Sequence, residues 1–170
     1  MKTLRMKIMI LSLALSLLAA AAAFASDADF GARGAAGKEG LTLEQMLTYA
    51  IQDEYLARAE YELIMSHYGE MRPFSNIIRS EEQHIAWLTE IFDEYGLDLP
   101  ADTAGEHVAL PADLKAAFAT GVQAEIDNIA MYESFLENKL PADVADLFEE
   151  LKSASENHLR AFQNNLSKYN

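Results

Sequence analysis

The chain is 170 residues long, has no Cys, and sets 27 Asp and Glu against 13 Lys and Arg, a formal net charge of −14. That length suits one domain, and the lack of Cys excludes disulfide scaffolds, thiol catalysis, iron–sulfur clusters and thiolate metal sites, so any metal must sit on N and O ligands. The acidity argues against a nucleic-acid partner, because neutralising phosphates needs clustered Lys and Arg.

Lys2, Arg5 and Lys7 precede an uncharged run from Ile8 to Ala23, and Ala23-Phe24-Ala25 follows as a small-x-small site. This is the layout of a secretory signal, so residues 1–25 are expected to be cleaved after Ala25 and the product exported, periplasmic or extracellular, with no membrane segment left. An uncleaved anchor is the rival reading of the apolar run, and the cleavage motif argues against it. No Cys follows the run to carry a lipid. Residues 26–40 are rich in Gly, Ala and Asp without periodicity, and read as a flexible leader.

From Thr42 the period is helical. Thr42 and Gln45 form a capping-box pair, and a first helix runs to about Tyr68 before Gly69, with the seam Leu43, Leu47, Ala50, Glu54, Ala57, Tyr61, Ile64 and Tyr68. Pro73 opens a second helix with the seam Phe74, Ile77, Glu81, His84, Leu88, Ile91 and Tyr95, stopped by Gly96. Residues 97–110 carry Pro100 and Gly105 and read as a loop long enough to cross the end of a bundle. Pro111 opens the third helix, with Leu114, Phe118, Gly121, Glu125, Asn128, Tyr132 and Phe135. Pro141 opens the fourth, with Val144, Phe148, Leu151, Ser155, His158, Phe162 and Asn165. Four such stripes over residues 41–168 predict an all-α, antiparallel four-helix bundle with a longer connection between the second and third helices.

Each stripe is apolar except near its middle. In an antiparallel bundle the helix midpoints share one height, which places Glu54, Glu81, His84, Glu125, Asn128, Ser155 and His158 in one layer. The halves also repeat: Gln52-x-Glu54 and Tyr61-Glu62 recur as Gln123-x-Glu125 and Tyr132-Glu133, and His84 recurs as His158, which suggests a duplicated helical hairpin. Carboxylates buried in an apolar seam cost several kcal/mol unless compensated. Glu54, Glu81, His84, Glu125 and His158 are O and N ligands suited to iron or manganese, with zinc a further candidate, and a spacing of three aims Glu81 and His84 at one point. Against this stands the reading of Glu-x-x-His as a plain ion pair, with Arg58 four residues after Glu54 as its neutralising partner. His67 and His107 read as solvated, Trp87 as a packing anchor, the dispersed Met residues as filler, and Tyr61 and Tyr132 as core or as hydrogen-bonding neighbours of the layer.

The segments Glu54-x-Leu56-Ala57-Arg58, Phe74 with Ser80-Glu81-x-x-His84, Tyr95-Gly96-Leu97 before Pro100, Gly121-x-x-x-Glu125 and the run Ser155-Glu156-Asn157-His158-Leu159-Arg160-Ala161-Phe162 resemble the ferritin-like superfamily. Within it they resemble an exported bacterial and archaeal branch catalogued as a domain of unknown function, over about Leu41 to Phe162. The resemblance implies a ferritin-like bundle that binds metal and brings no established reaction. Ferritin-like dimetal proteins usually carry Glu-x-x-His on both the second and fourth helices, whereas the fourth here reads Ser155-x-x-His158, and Asn128 stands where the branch tends to have Asp. One ion, or a weakly held second, is then credible, unless a π-bulge turns Glu156 inward.

The leading expectation is an exported protein holding one or two iron or manganese ions that react with oxygen or peroxide, Arg58 orienting Glu54 and the Ser155 and Asn128 positions left open to the oxidant. A non-catalytic metal-sequestering protein of the cell envelope and a structural bundle with a salt-bridge layer are the alternatives. The oligomeric state stays open, a dimer included.

Overall fold

The computed structural model describes residues 29–169, which hold five α-helices and no strand. The signal expected in residues 1–25 lies outside the described residues. The helices are α1 (Gly31–Ala35), α2 (Leu43–Tyr68), α3 (Phe74–Glu94), α4 (Leu114–Leu136) and α5 (Ala142–Leu166), with 3-10 turns at Ala104–Glu106 and Ser167–Tyr169. The four long ones are those the periodicity predicts. The Thr42–Gln45 capping box starts α2 with both reciprocal hydrogen bonds made, and Gly69, at φ 89°, ends it. α4 starts three residues later than Pro111 suggests, because the Asp113 side chain accepts from the Ala116 amide at 2.7 Å and takes the cap.

α2 packs on α3, α4 on α5, α2 on α4 and α3 on α5. Phe74 and Phe118, each in the first turns of its helix, stack at 5.3 Å, and Phe162 near the end of α5 joins Tyr61 and Phe74 at 5.3 and 5.2 Å. α3 and α4 therefore start at the same end, and every adjacent pair is antiparallel. The connection from residue 95 to 113 runs back along the bundle, roughly 30 Å for helices of this length, and not across its end as its composition suggested. It is pinned on the way by the Arg58–Asp102 ion pair and the 3-10 turn against α2.

Two apolar clusters fill the interior. Leu47, Ile51, Leu88, Phe92, Tyr132, Phe135, Phe148 and Leu151 lie towards one end, and Tyr61, Ile64, Phe74, Ile77, Phe118 and Phe162 towards the other. The polar layer lies between them. α4 approaches α5 closely through Gly121, where an added Cβ would stand 2.8 Å from the Phe162 ring.

The segment read as a flexible leader differs from that reading. From Phe30 to Ala35 it is folded, with Phe30, Gly31, Ala32, Gly34 and Ala35 buried against the bundle. Its attachment uses backbone amides and small side chains, neither of which produces a hydrophobic period. Among the described residues no helix is long and apolar enough to cross a membrane.

Candidate metal centre

Each helix carries its polar residues at the same height, so the seam that is apolar above and below delivers them to one place. Glu54 (α2), Glu81 and His84 (α3), Glu125 (α4) and His158 (α5) are all at most 8% exposed. They form two triads of candidate ligand atoms, Glu54–Glu81–His84 and Glu81–Glu125–His158, each with its atoms within 4.8 Å of one another. Glu81 belongs to both. His84 Nδ1 lies 3.0 Å from Glu54 Oε2 and 2.9 Å from Glu81 Oε2, while His158 Nδ1 lies 3.1 Å from Glu81 Oε1 and 3.7 Å from Glu125 Oε1. The two imidazoles face each other at 6.0 Å, nearly parallel.

The internal repeat becomes a crossed pair of supports. Tyr61 OH donates to Glu125 Oε1 and Tyr132 OH to Glu54 Oε1, both at 2.8 Å, so each half of the chain holds the carboxylate of the other. Burial and the adjoining carboxylates push both phenols well above their ordinary pKa, and they serve as neutral donors. Ser80 Oγ lies 3.1 Å from His84 Nε2. With Nε2 turned to Ser80, the ring presents Nδ1 to Glu54 and Glu81.

Without metal the layer holds protons. Burial opposes a charged His84, yet the Glu54 and Glu81 carboxylates lift its pKa to about 10. His158, likewise opposed by burial, is lifted to about 9 by Glu125 and Glu81. Glu54 rises to about 7 through burial and the charge of Glu81, and burial raises Glu125. Glu81 alone is lowered: burial opposes this, but the closeness of His158 and the bond to His84 prevail. His158 Nδ1 has no properly directed hydrogen-bond partner, and among the described residues it is the one buried side-chain polar atom in that condition. A buried nitrogen close to two carboxylates yet well aligned with neither fits a cation's coordination shell better than a finished salt-bridge network.

All five proposed ligands are thus brought together, and other expectations change. Arg58 does not orient Glu54; it pairs with Asp102 of the crossover and lies over the Tyr55 ring, because position 58 falls on the helix edge beneath that loop. Ser155 and Asn128 are not open positions. Ser155 Oγ donates to Asn128 Oδ1 at 2.7 Å, and Asn128 Nδ2 donates to Asp53 Oδ2 at 2.7 Å. Glu156 is exposed on an unbroken α5 and does not complete the set. His67 is exposed, whereas His107 stacks on Phe30 at 4.2 Å. Asp53, like Ser80 in its role beside His84, was missed by the sequence reading. Burial raises its pKa to about 7, and it sits one residue off the seam, where periodicity assigns no role.

A helical bundle whose core is crossed by a layer of Glu and His from all four long helices is a ferritin-like arrangement. Residues 45–166 match the rubrerythrin family, and the chain belongs to it. No curated protein matches the chain. Among solved structures it is similar to a hypothetical protein from Methanococcus jannaschii DSM 2661, at 23% identity and a TM-score of 0.67, covering 78% of this chain and 85% of that one. That likeness is one of fold.

Proposed function

We propose that this protein is an exported metalloprotein of the rubrerythrin family, of the exported branch its motifs resemble. Glu54, Glu81, His84, Glu125 and His158 would hold iron or manganese, Glu81 being common to both triads. The observation that carries this is the pair of buried triads sharing Glu81, with His158 Nδ1 set between Glu81 and Glu125 and well aligned with neither. Bound iron or manganese would supply electron transfer to or from oxygen or peroxide.

The residues around the centre do the rest. Tyr61 and Tyr132 keep Glu125 and Glu54 in place, and Ser80 keeps the His84 ring turned with Nδ1 inward. The apolar clusters on either side keep bulk water from the layer. His84 and His158 release their protons when metal takes the Nδ1 positions. Asp53 stands beside the layer as a further carboxylate, which softens the charge deficit left by Ser155.

A second reading, a salt-bridge layer that fixes helix register, draws on His84 bridging Glu54 and Glu81. Elemental analysis of untagged protein purified without chelator separates the two. Near-stoichiometric iron or manganese, lost in a Glu81→Ala/His84→Ala variant, supports the metal centre. No metal, even after anaerobic loading with ferrous or manganous ion, leaves only the structural layer. Zinc alone would favour a non-redox, sequestering protein.

A further inference from the structure

Residues 29–37 precede the part of the chain that matches the family, yet they are tied to the bundle beside the centre. The Gly31 and Ala32 amides donate to Gln52 Oε1 at 3.3 Å and Asp53 Oδ1 at 2.8 Å. Phe30 stacks on His107 of the crossover, and Arg33 Nε reaches Asp127 Oδ2 of α4 at 3.7 Å. Asp53 continues inward through Asn128 to Ser155, so three side chains join this strap to the polar layer.

Beneath the strap two cavities adjoin. The inner one, of about 30 Å³, borders Glu54, Glu81 and Glu125 and has room for a water or a bare ion. The outer one, of about 270 Å³, is walled by Ala32 and Arg33 of the strap and by residues 107–111 of the crossover. They share Asp53, Leu56, Glu60 and Ala124, so the cleft between α2 and α4 runs from one to the other, with the partly buried Glu60 at the throat. Among the described residues lining the two cavities Arg33 is the only Lys or Arg, and it belongs to the strap. When the strap lifts, its positive charge leaves with it, and the acidic groups remaining along the cleft are Asp127, Asp53, Glu60 and the carboxyls of the centre, burial holding Asp53 and Glu60 at about 7.

We propose that residues 29–37 are a strap over an inlet for divalent cations between α2 and α4, and that Glu60 passes the ion from the outer cavity to Glu54, Glu81 and Glu125. This rests on the reading of the centre as metal-binding. A neutral oxidant gains nothing from a carboxylate-lined path, whereas a dication is concentrated along it.

Cobalt(II), followed by its visible absorption in stopped-flow mixing with the purified protein, reads the loading rate directly. In Gly31→Ala the added Cβ would stand 2.6 Å from Asp53 Oδ1 at a φ of 57°, which forces the strap away. Hydrogen exchange over residues 31–36 should then quicken, and cobalt should load about fivefold faster or more, with the final cobalt-to-protein ratio unchanged. Arg33→Gln, which removes the strap's charge and its exposed pairing with Asp127, should also load faster at low salt, and Glu60→Gln should load about threefold slower or more. A freed strap with an unchanged loading rate overturns the inlet, as does wild-type loading in Glu60→Gln. Wild-type protein that takes up neither cobalt, iron, manganese nor zinc removes the metal centre itself, a result read from the end point and not from the rates.

Discussion

Glu81 differs from the other carboxylates because it faces both histidines. Its Oε2 lies 2.9 Å from His84 Nδ1 and its Oε1 3.1 Å from His158 Nδ1, whereas Glu54 and Glu125 each serve one triad. Glu81→Gln is therefore expected to lose metal from both positions, and Glu54→Gln or Glu125→Gln to keep about one ion, since each spares the triad to which it does not belong. Metal-to-protein ratios for the three variants decide it; an equal loss in all three would mean that the positions do not act as two sites. The tyrosines give a second test at this scale. Tyr61→Phe or Tyr132→Phe removes one donor to a buried carboxylate without changing the ring, and should cost about 1–3 kcal/mol in denaturant unfolding of the metal-free protein. The five ligand candidates were legible in the sequence because each interrupts an otherwise apolar stripe at a helix midpoint. Asp53 and Ser80 were not, because they lie beside the stripe and reach the layer through Asn128 and His84.

The four long helices were legible almost to the residue, since capping signals at Thr42 and the stop at Gly69 act locally and the seams repeat every three or four positions. The crossover and α1 were not. The path of residues 95–113 is set by which ends of α3 and α4 meet, a tertiary fact carried by the Phe74–Phe118 stack. α1 has five residues and is held by amides donating to α2 side chains, so its sequence shows only Gly and Ala. Between elements, the contact of α4 with α5 depends on what Gly121 lacks. Gly121→Ala gains helix propensity of up to about 1 kcal/mol, but its Cβ would press on the Phe162 ring, itself packed on Tyr61 and Phe74. Overpacking of this kind costs about 1–3 kcal/mol. A net loss of stability is expected by chemical denaturation, with metal stoichiometry retained; a gain would show that α5 can shift outward at this point without penalty.

For the whole molecule, the proton content of the layer links its stability to pH, and metal should reverse the slope. In the metal-free protein His84 and His158 have pKa values of about 10 and 9, above the ordinary 6.5, so the stability they contribute is complete below pH 6.5 and is lost as pH rises through 9 and 10. Glu54, raised to about 7, acts in the same direction between pH 4.5 and 7, because the folded state keeps a proton that the unfolded chain has released. Glu81 is lowered and works oppositely, but only below its ordinary 4.5. From pH 6 to 9.5 the folded chain thus binds more protons than the unfolded one, and the metal-free protein should lose stability throughout that range, read as a falling Tm. Manganese or ferrous ion at the same ligands replaces those protons, so binding tightens as pH rises and the Tm of the loaded protein should hold or climb over the same range. Thermal unfolding at several pH values, with chelator and with manganous ion, measures both slopes. Curves that diverge above pH 7 place the ion on His84 and His158, because Glu54 has by then released its proton and the histidines have not. Parallel curves mean that the histidines keep their protons in either condition, and the layer is then the salt-bridge network that fixes helix register.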